Sequence, residues 1–323
     1  MSRREPAPAG LVFDEAFVRH DPGSRHAESP ERYRALTRAL ERAGLLNRLV
    51  RIQARTAGEE DLQLCHTRAY LAMVRHDIAR RAPVLSTGDT MLCQHSGEVA
   101  ALAAGAALAA VDAVMEGRVR RVFAAVRPPG HHATASRGMG FCIFNNAAIA
   151  ARYARKVYGV DRILIADWDV HHGNGTQDIF YENGGVFFFS THQSPWYPGT
   201  GAAGETGAGA GKGTTMNCPF PAGAGRAEVV GAFRKRLLPA MGAYRPGLVV
   251  LSAGFDSRRG DPLGRFVLRD GDFAELTGIV MEIAESWAGG RVVSLLEGGY
   301  DLAGLGSAAV THVETLRGGP GAE

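Results

Sequence analysis

Secretion, a membrane span and nucleic-acid binding are all poorly supported by what this chain lacks. Its four cysteines, Cys65, Cys93, Cys142 and Cys218, show no Cys-x-x-Cys spacing. That excludes a cysteine-built zinc module and reads as reduced thiols in a cytoplasmic protein. The opening Ser2-Arg3-Arg4-Glu5-Pro6 has no apolar core of the kind a secretory signal needs. No segment reads as long and apolar enough to cross a membrane, because the Ala-rich stretch 96–116 carries Glu98, Asp112 and Glu116. The net charge of +3 is mild, and no basic run is dense enough to grip nucleic acid. The Gly-rich stretch Gly199 to Gly213 has neither the Gly-Lys-Ser/Thr ending nor the strand-to-helix context of a phosphate loop. It reads as a flexible surface loop. No helix shows a strict heptad seam, so the oligomeric state is open.

What is present is a regular alternation of strands and helices. Apolar runs at 121–126, 162–166, 187–190, 248–253 and 291–296 read as strands. Between them, helices are expected from Ser29 (as N-cap, with Pro30 in the first turn) to about Gly44, at 96–116 and 146–158, and near 226–243, 271–288 and 302–316. Gly and Pro are scattered, with no linker among the 323 residues. The expectation is one α/β domain, a parallel sheet with helices on both faces. In such sheets, ligands bind beyond the carboxyl ends of the strands.

Polar residues gather at those ends. The stretch Asp167-Trp168-Asp169-Val170-His171-His172 puts two carboxylates and two imidazoles into six positions after a strand. If the chain stays extended, Asp169 and His171 point the same way and can share one metal ion. Asp256, just past the strand at 248–253, is the natural third ligand, leaving a coordination position open as catalysis requires. His131 and His132 follow the rigid Pro128-Pro129-Gly130 turn and suit general acid–base work. Gly298-Gly299 lets the backbone turn tightly and present Tyr300.

These motifs resemble the zinc-dependent histone deacetylase family, which includes bacterial acetylpolyamine amidohydrolases and deacetylase-like amidohydrolases. The resemblance rests on 127–133, 140–146, 167–177, 252–256 and 297–300, in that order. It extends from about residue 20 to residue 316, implying a catalytic domain over 20–316, an N-terminal segment 1–19 and a C-terminal tail 317–323. Asn174 and the stretch 260–264 bring it nearer the class II members. The implied fold is arginase-like. The implied zinc ligands are Asp169, His171 and Asp256, with iron(II) in the cell left open. His131 would pair with Asp167, and His132 with Asn174. Tyr300 would hydrogen-bond the scissile carbonyl. Gly140, Phe141 and Tyr197 would line a narrow acyl-lysine tunnel, where the family usually has phenylalanine at Tyr197. The 199–213 loop would lie near its rim. Structural potassium is also implied: one ion at Asp167, Asp169, His171, Ser190 and Thr191, and a second at the carbonyls of Phe180, Asn183 and Val186.

The expected reaction is hydrolysis of the amide of an N-acylated amine. Leu263 stands where polyamine-specific relatives carry glutamate, which favours acyl-lysine in proteins or peptides over acetylpolyamines. Asp89 and Glu98 near the entrance could supply the acidic gate instead. A catalytically silent binder of acetylated ligands and a two-manganese arginase-type hydrolase are the competing readings. Of the other histidines, His20, His26, His66, His76 and His312 read as surface or packing residues, and His172 as structural. His95 reads as an entrance residue and His192 is unassigned. Cys142, beside Phe141, reads as a core thiol.

Overall fold

The computed structural model describes residues 9–318. Ser2–Pro6 and the last five residues of the expected tail lie outside them. Eight strands form one sheet: β1 Ala9–Val12, β2 Val50–Ile52, β3 Arg121–Ala124, β4 Ile163–Asp167, β5 Val186–Gln193, β6 Thr215–Phe220, β7 Leu248–Ala253 and β8 Val292–Leu296. Their order is β2-β1-β3-β8-β7-β4-β5-β6 and every pairing is parallel. The sheet thus begins at Ala9, within the stretch expected to be an N-terminal segment.

The central strands are buried throughout, as sheets covered by helices on both sides require. Val249, Val250 and Leu251 of β7 and Val292 and Val293 of β8 are fully inaccessible. Parallel strands need crossovers, and helices supply them. Pro30–Arg42 starts where expected, with Pro30 in its first turn, although the Ser29 side chain makes no capping bond. Asn145 caps Asn146–Tyr158 by accepting the Ala148 N–H at 2.9 Å. Arg226–Ala232 and Leu238–Tyr244 are joined through a π-helical turn, Phe233–Leu237, in place of the single α-helix expected.

The Ser96–Met115 helix corrects one expectation. By length and composition it is apolar enough to cross a membrane. Most of it is instead buried inside the fold, where Ala103, Ala104, Ala106, Ala107 and Ala110 let it pack closely. Its apolar character is that of a core helix, and its charges sit where it emerges.

Candidate active site

Four neighbouring strands, β3, β8, β7 and β4, deliver the polar residues from their carboxyl ends. The strand β4 stops at Asp167, so Asp169 and His171 are not in extended chain as the spacing suggested. The backbone beyond bends through two side-chain turns. Asp167 Oδ1 accepts the Asp169 N–H at 3.0 Å and Asp169 Oδ1 accepts the His171 N–H at 2.9 Å. These turns, not the pleat, bring the two side chains together.

His171 Nδ1 lies 3.0 Å from Asp169 Oδ1 and 3.1 Å from Asp256 Oδ2. One ligand atom from each residue falls within 4.8 Å of the others. The remaining carboxylate oxygens are committed: Asp169 Oδ2 takes the Gly298 N–H at 2.8 Å and Asp256 Oδ1 the Val170 N–H at 2.9 Å. A Cβ at Gly298 would collide with both carboxylates, so only glycine lets the strand end come this close. Burial, and then the Asp169 charge, push the Asp256 carboxyl up to about 7. Against the cost of burial, the two carboxylates raise His171 to about 10. Two buried carboxylates thus share one cationic neighbour, and a divalent ion would meet that demand more fully. Imidazole nitrogen and carboxylate oxygens about 3 Å apart fit the tetrahedral site zinc prefers, with bonds of roughly 2.0–2.2 Å.

The tandem histidines part in character. His131 Nδ1–H donates to Asp167 Oδ2 at 2.9 Å. Although burial opposes it, Asp167 and Asp169 lift His131 to about 10. His132 is driven the other way, well below its usual value, by burial and by the cationic His131 and His171. Its Nδ1 meets Asn174 Oδ1 at 2.8 Å, and Asn174 Nδ2 turns toward the Met139 sulfur. The Asn174 oxygen is therefore the acceptor, Nδ1 carries the proton, and Nε2 keeps its lone pair.

A cavity of about 320 Å³ opens above these groups. His132, His171 and Tyr300 lie on it, with Gly140, Phe141, Tyr197 and Leu263 as walls. Asp89, named as an entrance acid, also lines it, Glu98 does not, and Trp196 and Pro262 join the lining without having been named for the tunnel. Glu297 was also passed over. Its Oε2 accepts the Gly130 and His131 N–H groups, at 2.7 and 3.2 Å, and so holds the histidine loop. It sits at the carboxyl end of β8, where the rule that singled out Asp256 applies equally.

Other expectations are met unevenly. Ser190 pairs in register with Asp167, its hydroxyl 2.9 Å from His192 Nδ1, while the Thr191 hydroxyl is buried without a partner. The carbonyls of Phe180 and Asn183 close turns onto Asn183 and Val186. His172 binds Thr200 and Gln177, and His192 reaches the Gly201 carbonyl at 3.0 Å. The expected flexible rim loop is thus tied down at its start, and Gly201, Gly207 and Gly211 are buried. His95 does not line the cavity; it contacts Arg19 at 2.9 Å, and Arg19 also binds Glu98. Cys142 is buried and bonds the Gly140 carbonyl, a core thiol.

The family model of the histone deacetylase domain matches residues 26–316. The chain is 39% identical over 304 residues to the histone deacetylase-like amidohydrolase of Pseudomonas aeruginosa, covering 94% of this chain and 80% of that protein. It is 41% identical over 304 residues to human polyamine deacetylase HDAC10, covering 91% of this chain but 45% of that longer protein. The solved HD domain of HDA15 superposes with a TM-score of 0.92 at 37% identity, covering 97% of this chain and 89% of that one. This chain belongs to the histone deacetylase family, hydrolases that act on acetylated amides.

Proposed function

We propose that this enzyme hydrolyses the amide of acyl-lysine in proteins or peptides, with a zinc ion held by Asp169, His171 and Asp256. The observation that carries the reading is that His171 of this buried ligand set lines one cavity together with a neutral imidazole and a phenol. A zinc ion bound there would supply Lewis acidity, making water more acidic and an amide carbonyl more electrophilic. His132, proton on Nδ1 and lone pair on Nε2, takes the proton from the attacking water and returns it to the departing amine. Asn174 orients the ring without a charge that would raise its pKa. His131, kept cationic by Asp167, adds positive potential. Tyr300, whose pKa burial holds well above its usual value, keeps its proton and donates to the carbonyl oxygen as charge develops there. Potassium would be held at Asp167, Asp169, His171, Ser190 and Thr191, and a second ion at the carbonyls of Phe180, Asn183 and Val186.

Leu263, Phe141 and Tyr197 give the cavity apolar walls that suit the alkyl stem of lysine. One observation favours a second reading, the acetylpolyamines: Asp89 also lines the cavity and could attract a second ammonium. The test is turnover by metal-loaded protein of an acetyl-lysine peptide, N-acetylputrescine and N-acetylspermidine, with Asp256→Ala as control. The expected result is peptide turnover that the control loses together with its bound zinc. Turnover of the polyamines alone would overturn the substrate assignment, and an active, zinc-free Asp256→Ala would overturn the metal assignment.

A further inference from the structure

A closed circuit of contacts surrounds the cavity mouth. The Gly140 N–H donates to Asp89 Oδ1 at 2.8 Å, and Asp89 Oδ2 accepts the Tyr197 hydroxyl at 2.9 Å. Next along the chain, Trp196 donates from Nε1 to the Leu263 carbonyl at 2.8 Å. The Leu263 N–H donates to Asp261 Oδ1 at 2.9 Å, and Asp261 Oδ2 takes the Tyr300 N–H at 2.6 Å. The circuit closes where the Phe141 and Tyr300 rings meet edge to face, 5.9 Å between centroids. Segment 194–198 is its keystone, holding one loop through Tyr197 and another through Trp196.

The loop carrying Asp89 is itself anchored. Buried Asp77 accepts both the N–H and the hydroxyl of Ser86, each at 2.7 Å. Thr87 ties the tip to Gly138, donating to its carbonyl at 2.8 Å and accepting its N–H at 3.2 Å, while the Tyr197 hydroxyl and Gly140 N–H hold the Asp89 carboxylate itself. Of the hydrogen bonds in the circuit, the Tyr197–Asp89 bond alone joins two side chains, and both are exposed. A phenylalanine at 197 would keep the ring against His132, where the centroids are 5.2 Å apart, yet leave the circuit open.

We infer that Tyr197 is a specificity-determining residue: its hydroxyl, bonded to Asp89, fixes the mouth at an aperture that admits a slender acyl-amine chain and resists bulk beside it. A bond made before substrate arrives costs nothing at binding, so slender chains meet a preformed opening. Bulky ones must break the circuit to enter. The inference rests on the acyl-amine reading above.

The test compares kcat/KM for acetyl-lysine flanked by glycines with that for acetyl-lysine flanked by tryptophans. Tyr197→Phe should raise the bulky-to-slender ratio at least about fivefold, through KM and not kcat. An unchanged ratio, or a fall in kcat shared by both peptides, would overturn the inference. Asp89→Ala, alone and combined with Tyr197→Phe, checks that the effect runs through the bond. Loss of the hydroxyl should add no further change once Asp89 is gone, and an additional rise in the double variant would also sink it. Wild-type turnover of the slender peptide tests the acyl-lysine reading by itself. If acetylated alkylamines alone are turned over, the same ratio is read on N-acetylputrescine against its N′-benzyl derivative.

Discussion

Tyr300 is fixed from two sides. Its N–H is held by Asp261, and the Arg32 guanidinium lies 4.7 Å from its ring centre. A phenol held so firmly makes a preorganised donor, and Tyr300→Phe should lose roughly 10²–10³-fold in kcat, the scale of one lost oxyanion donor. Steady-state kinetics on the acetyl-lysine peptide decides it, and unchanged turnover would remove the hydroxyl from the chemistry. At this scale the sequence was readily legible where a chemical type was scarce and sat past a strand. Asp169, His171, Asp256, the histidine pair and Tyr300 all met that description. Glu297 met it as well but was eclipsed by the glycines that follow it. Trp196 could not be found this way, and Asp89 was named only as one of two acids near the entrance. Their place at the mouth depends on how three surface loops fall together, and no local pattern encodes that.

The elements that bear the site are bound to one another through buried charge. Glu28, just before the Pro30–Arg42 helix, is fully inaccessible. It takes Arg127 Nε at 2.6 Å and Nη2 at 2.8 Å, and Arg32 Nη1 at 3.0 Å. Burial alone would raise its pKa, yet Arg127 and His20 hold it well below the usual range. Arg127 opens the histidine loop, and Arg32 bonds the carbonyls of Glu297 and Gly299, each at 2.6 Å. One carboxylate therefore couples the ends of β3 and β8 to a helix on the sheet's flank. Removing one partner of a buried ion pair typically costs about 3–5 kcal/mol. Arg127→Met should lower the urea midpoint accordingly, and a midpoint matching the parent's would show that Arg32 suffices. The long apolar runs announced β4, β7 and β8. The missed strands were β1 and β2, of four and three residues, and the edge strand β6, whose Pro219 and Asn217 break the strand pattern.

Across the whole molecule, buried neutral imidazoles weaken the fold in acid, opposed in part by the raised Asp256 and Glu297 carboxyls. Burial pushes His66 down to about 4 and His312 to about 3. His312 lies between the hydroxyls of Thr277 and Ser294, and its ring packs against Trp168 and Phe255. In the unfolded chain both would take a proton near pH 6.5. Below that value the unfolded state binds more protons than the folded one, so stability falls with pH until about 4. Each group contributes up to about 1.4 kcal/mol per pH unit. Thermal melts from pH 7 to 4.5 should show this slope, and His312→Gln should flatten it. An unchanged slope would place the acid sensitivity elsewhere.

The pairing of β3 with β8 joins Arg121 to Val292, 171 positions further along the chain. Half of the site is made on the ribosome long before the strand that delivers Glu297 and Tyr300. Until that strand slots between β3 and β7, the nascent chain carries its histidines and most of its acids on an open seam. Contacts this distant in sequence close slowly, so hydrolytic competence waits on the arrival of β8.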